Sequence, residues 1–154
     1  MKAISLLQPW ASLIGIKGNE TRSWYTKYRG RLAIHASKNP KMVKELAWSE
    51  PFYSALINKV PFGEMPYGAV VSISNMVECC LIKADGLHKV PNGQSFSGPE
   101  SCTEFYAPLP GEPELSFGDY TPGRYAWILE DVKPLPEPIP AKGKLGLWEW
   151  AETA

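Results

Sequence analysis

Proline and glycine set the limit on what this chain can become. Fifteen prolines and thirteen glycines are scattered through 154 residues. Proline removes a backbone donor and glycine weakens both helix and strand interiors. Many short elements joined by turns fit such a chain better than a helical bundle. Its length suits one domain with a core of its own, and the 44% hydrophobic content is that of a globular chain. We expect a single domain over residues 1–154.

Hydrophobic periodicity places the elements. Residues 2–7 (KAISLL) read as a strand. Gln8-Pro9 then opens a helix of about two turns, with Trp10, Leu13, Ile14 and Lys17 on one face and Gly18 as the stop. An extended segment, Glu20 to Trp24, points Glu20, Arg22 and Trp24 to one side. RLAIHAS (31–37) alternates as a half-buried strand, with Leu32, Ile34 and Ala36 inward and Arg31, His35 and Ser37 on the polar face. Asn39-Pro40 starts a second helix, and Pro51 separates it from a third over about Phe52 to Asn58. GAVVSISNMV (68–77), RYAWILEDV (124–132) and LGLWEW (145–150) complete six strands, with LPEPIPAKGK as an extended proline-rich connection. Residues 85–121 read as a long Pro/Gly-rich loop inserted in the domain, with one helical turn near Cys102–Tyr106. The class is α+β: one curved sheet or small barrel flanked by short helices.

Several functions are disfavoured at once. No apolar run approaches the ~20 residues of a membrane span, and the first apolar stretch is too soon broken by Gln8-Pro9 for a signal peptide. Three cysteines (Cys79, Cys80, Cys102) without framework spacing fit a reducing cytoplasm. No CxxC pair occurs and His35 and His88 lie far apart, so neither a metal nor another cofactor is called for. A monomer is the default.

Charge is zero overall but uneven. Between Gly15 and Lys44 stand eight basic residues and one acid, Glu20. Such a segment presents a basic face suited to phosphate, although a solvated charged surface has the same composition. Trp10, Trp24, Tyr25 and Tyr28 are interleaved with those cations, the mixture that single-stranded nucleic acid needs for stacking and charge. Lys17 sits on an otherwise apolar stripe, three residues before Glu20 and five before Arg22. This trio offers a cation, a carboxylate and a planar fork, and it also suits a structural ion pair. His35, Ser37 and Lys38 add polar groups at a strand end. A His–Ser pair at i, i+2 is weak ground for a nucleophile, and no G-x-S-x-G elbow is present.

Gly15-Ile16-Lys17-Gly18-Asn19-Glu20-Thr21-Arg22 reads G-x-K-x-x-E-x-R. With SLLQPWASLI before it, LAIHASK after it, GAVVSISNMVEC, and RYAWILEDVKPLPEPIPAKGKLGLWEW near the end, the chain resembles the ASCH domain family over most of its length, least between Asp85 and Thr121. The resemblance implies a PUA-like β-barrel of five to six mostly antiparallel strands, and RNA or another nucleic acid as ligand. It implies a cleft beside the first helix lined by Lys17, Glu20 and Arg22. Gln8, Trp10, Ser23, Trp24, His35, Ser37 and Lys38 are the further candidate ligand contacts. Some family members are hydrolases, acting on N4-acylcytidine or on RNA. In that alternative Lys17 and Glu20 are catalytic, yet the acylcytidine enzymes carry a threonine where this chain has Glu20. Their further glutamate has only Glu78 and Glu104 as candidates here, without a spacing argument.

Overall fold

A computed structural model describes residues 1–46, 49–57, 59, 65–91 and 103–152, with the side chains of residues 15–17 excepted. The element order is β1 (Lys2–Leu6), α1 (Trp10–Lys17), β2 (Asn19–Arg22), β3 (Gly30–Ala36), α2 (Lys41–Leu46), α3 (Phe52–Leu56), β4 (Ala69–Lys83), β5 (Gly86–Lys89), β6 (Glu104–Ala107), α4 (Glu114–Phe117), β7 (Tyr125–Pro140) and β8 (Leu147–Glu149). This is α+β, mostly strand with a few short helices.

The barrel expectation does not hold. Among the described residues eight strands run in one open path, β2-β7-β4-β3-β1-β8, with β5 on β4 and β6 on β5. The two extra strands lie inside the stretch read as a loop. β6 occupies Glu104–Ala107, where one helical turn was expected, and Cys102 lies outside the described residues. β7 also runs on through LPEPIP to Pro140. Proline lacks only the N–H donor, so an extended run of alternating prolines is compatible with strand geometry where its donors are not needed.

Two compact units divide the chain. The first comprises 1–17, 31–75 and 131–154. In it β1 pairs parallel with β3, with Ser5 opposite His35, and antiparallel with β8, with Ala3 opposite Trp148. A cluster of Ala3, Ala33, Val70, Ile73, Trp148 and Trp150 fills its core. α1 is capped by buried Gln8, whose Oε1 accepts the Ser12 N–H at 3.0 Å. Gly18, at φ +78°, follows its last residue, Lys17. β3 is not half-buried as its alternation implied: Leu32 to Ala36 are all buried. Lying between β1 and β4, it has no open edge, and both of its faces are covered.

The second unit comprises 18–30 and 76–130. β2 pairs antiparallel with β7, Glu20 opposite Trp127 and Arg22 opposite Tyr125. Cys80, Ile82, Leu87 and Ala126 form its core cluster. Burial pushes the Cys79 thiol up to about 11 and the Cys80 thiol up to about 12. Both are therefore neutral, inert packing groups at physiological pH. At Gly86, φ is +147° and a side-chain carbon would stand 2.7 Å from the Ala107 carbonyl oxygen.

Three outcomes follow from this packing. Gly86→Ala should lower stability by at least about 2 kcal/mol in chemical denaturation, because the chain must move away from Ala107. Below the ordinary thiol pKa of 9.0 both thiols are neutral whether folded or not. Above it the unfolded thiols ionise while the folded ones resist, so stability should fall as pH rises from 9 towards 12. A Cys79→Ala/Cys80→Ala variant should show a flatter profile over that window. In the native protein at pH 8, peptide mapping should find Cys79 and Cys80 unalkylated.

Candidate functional site

In the first unit, Ser5, His35, Ser37, Lys38, Lys142, Gly143, Lys144 and Leu145 line an open pocket of about 390 Å³. Its base is set by strand register. Parallel pairing puts Ser5 beside His35, and the Ser5 Oγ lies 3.0 Å from His35 Nδ1. The other ring nitrogen, Nε2, lies 2.8 Å from the Ala141 carbonyl oxygen. A carbonyl only accepts, so Nε2 carries the proton; in the neutral ring Nδ1 then accepts from the Ser5 hydroxyl. Trp148 Nε1–H donates to the Ser5 Oγ at 3.3 Å. The indole also meets the His35 ring edge to face at 5.5 Å between centroids. This is a directional relay, Trp148 to Ser5 to His35 to Ala141, and it fixes the buried imidazole in one tautomer.

A serine beside a histidine invites a nucleophilic reading. Gly143 argues against it. A side-chain carbon at that position would lie 2.7 Å from both the Ser5 Oγ and the His35 Cε1. The backbone there passes directly over the pair, which leaves no room for a substrate carbonyl beside the hydroxyl. The relay is a foundation for the pocket.

What the pocket presents instead is positive charge. Lys38, Lys142 and Lys144 are all exposed, and among the described residues no acid lines the pocket. None of the three is ion-paired among the described residues. Lys38 lays its stem over Gly68, whose φ of +64° and missing side chain make room for it. Ser37 Oγ accepts the Asn39 N–H at 3.3 Å, and the Ser37 N–H is held by the Leu6 carbonyl at 2.8 Å. Of the residues singled out in the sequence, His35, Ser37 and Lys38 line this pocket. Ser5, Lys142 and Lys144 line it as well, and only the fold brings residues more than a hundred positions apart to one mouth.

Other candidates in this unit are already engaged. Gln8 is buried, and besides capping α1 it donates from Nε2 to the Pro66 carbonyl at 2.8 Å. Trp10 is half-buried and meets Phe52 edge to face at 6.0 Å. Lys17 is the last residue of α1, and its side chain lies outside the described residues.

The second unit holds Glu20, Arg22, Ser23 and Trp24. Glu20 is buried and its Oε1 accepts the Thr21 N–H at 2.9 Å. Desolvation pushes the Arg22 guanidinium below its ordinary pKa; the Glu20 carboxylate opposes this and the Arg124 charge adds to it. Arg124 is itself held by Asp119, through Oδ2 at 3.4 Å and the carbonyl at 3.2 Å. Ser23 is exposed. Trp24 is half-buried, with one edge against buried Trp127 (centroids 4.8 Å apart, 89° between planes). The Trp24 carbonyl accepts the Trp127 indole N–H at 3.4 Å. Glu78, raised as a possible further carboxylate, pairs with Arg29 at 2.5 Å, and Glu104 is an exposed residue of β6. Among the described residues no group of three or more His, Cys, Asp or Glu side chains stands together as a metal site.

Comparison with known proteins accords with the motif. The ASCH domain matches residues 4–138. Activating signal cointegrator 1 from Homo sapiens is 39% identical over 80 residues, and that from Mus musculus is 39% identical over the same length. Each alignment takes in 49% of this chain but only 14% of the relative, so the chain corresponds to a small part of those proteins. With a family match over residues 4–138, most of its length, the chain belongs to the ASCH domain family.

Proposed function

We propose that this ASCH domain binds nucleic acid, single-stranded RNA in the first place. The observation that carries the reading is the lysine-lined pocket: Lys38, Lys142 and Lys144 around Ser37, with no acid among the described lining residues. Unpaired ammonium groups around an open mouth suit a chain of phosphates. They are point charges on flexible stems, so they follow a backbone without reading its sequence. The rigid His35–Ser5 base keeps the walls of the pocket in place while the lysines adapt.

The second unit supplies its own set. Arg22 offers a partly desolvated guanidinium for phosphate, Trp24 an aromatic surface, and Ser23 an exposed hydroxyl. Glu20 and Lys17 belong to the motif that marks the family. In our reading Glu20 accepts from an exocyclic amine or braces Arg22, and Lys17 meets a phosphate or carbonyl oxygen. The family match runs through both units, which supports one ASCH domain with 85–121 as an excursion within it. The relatives are named for activating-signal cointegration, a setting that suits a nucleic-acid-binding module.

The test is a titration of fluorescently labelled single-stranded RNA over a range of salt. Wild type should bind saturably, with affinity falling as salt rises. The Lys38→Ala/Lys142→Ala/Lys144→Ala variant should lose about 2 units from the slope of log affinity against log salt, given roughly 0.7 per phosphate contact on a single strand. An unchanged slope would remove the pocket from the interface. Chromatography of the same mixtures, with free N4-acetylcytidine alongside, addresses the alternative: product formation that disappears in Lys17→Ala would make the domain a hydrolase.

A further inference from the structure

The rim of the lysine pocket carries one residue that its charge does not explain. Leu145 lines the mouth with Lys142 and Lys144 and is 98% exposed. The other exposed large apolar side chains among the described residues, Ile57, Phe105 and Tyr106, are at most 52% exposed. A leucine left wholly in water forgoes the gain that burial of its side chain would bring. The backbone on both sides holds it there. The Ala141 N–H donates to the Gly68 carbonyl at 3.1 Å, and the Ala141 carbonyl accepts from His35 Nε2 at 2.8 Å. Gly143 then crosses directly over Ser5 and His35. At the other end Gly146 turns at φ +66°, which glycine adopts without strain, and Leu147 pairs with Ile4 of β1. Leu145 therefore stands on a short span, residues 144–146, that is anchored at both ends, and strand register fixes its exposure.

We propose that Leu145 is the base contact of this pocket, the apolar surface on which a nucleobase lies while the neighbouring lysines hold its phosphate. This rests on the reading of the pocket as an RNA site and deepens it. In a nucleotide one sugar joins an anionic phosphate to a flat base, so a site that takes both needs a cation and an apolar surface side by side. Lys144 and Leu145 are adjacent in the chain, and Lys38 and Lys142 complete the cationic side. Leucine has no donor or acceptor for a base edge, so the contact is with the base face and does not depend on which base is present. The two contributions respond differently to salt. Phosphates on lysines displace counterions, and their share of the affinity falls as salt rises. The leucine contact releases no counterion, so its share does not follow that slope.

Two labelled strands of equal length separate these contributions: an oligouridylate, and an abasic ribose strand with the same phosphates and no bases. Each is titrated with the full chain over a range of salt. Leu145→Ser should weaken oligouridylate binding about fivefold at every salt concentration, with the slope of log affinity against log salt unchanged. Leu145→Trp should strengthen it about tenfold by stacking. Neither substitution should change the affinity for the abasic strand. Both variants should melt with the wild type, since the side chain at 145 lies outside the core. If Leu145→Ser leaves oligouridylate affinity unchanged while the triple lysine variant still lowers the slope, the base contact is overturned and the phosphate site stands. Equal weakening on both strands would overturn it too, because Leu145 would then act on the shape of the rim and not on a base. Failure of the wild type to bind either strand saturably would remove the RNA reading itself, and the base contact with it.

Discussion

The relay from Trp148 through Ser5 and His35 to the Ala141 carbonyl ties together parts of the chain that are far apart in sequence. It engages both nitrogens of a buried histidine. An imidazole with either nitrogen unmatched would carry a desolvation cost comparable to a lost hydrogen bond. The residues that meet it come from β1, β3, β8 and the segment after β7, so all four must be in register before the ring is satisfied. Gly143 then closes over the pair at a distance no other residue permits without a shift. The lysines on either side of it, Lys142 and Lys144, owe their place on the pocket rim to that crossing.

Chemistry in this domain is thereby divided. Groups that look catalytic in the sequence are largely committed to structure: His35 and Ser5 to each other, Gln8 to the start of α1, Glu78 to Arg29. Cys79 and Cys80 are buried and neutral. The exposed side chains at the pocket rim that have no ion-pair partner among the described residues, Lys38, Lys142 and Lys144, are cationic. A surface of this kind binds anions, and its strength depends on salt more than on pH.

Much of this was legible in the sequence where the cause is local. α1 begins after Gln8-Pro9 and is followed by Gly18, as capping chemistry dictates, and the break at Pro51 separates α2 from α3. The motif from Gly15 to Arg22 identified the family. What was not legible is set by pairing between distant segments. β5 and β6 lie in a stretch whose composition reads as loop, and they exist because β4 runs past Val77 to Lys83 and offers them an edge. Those two strands raise six to eight, and the resulting path is open. Likewise His35 finds Ser5 rather than Ser37, since i, i+2 neighbours on a strand share a face without the cross-strand contact that parallel register supplies.

The position of a bound single strand along the chain decides whether the lysine pocket is its seat. Ultraviolet crosslinking of the full chain to a single-stranded RNA carrying 4-thiouridine, followed by peptide mapping, reads that position directly. Crosslinks are expected in the peptides that contain Ser37-Lys38 and Lys142 to Leu145. Crosslinks confined to other surfaces, with these two peptides unmodified at saturating RNA, would contradict the lysine pocket as that seat.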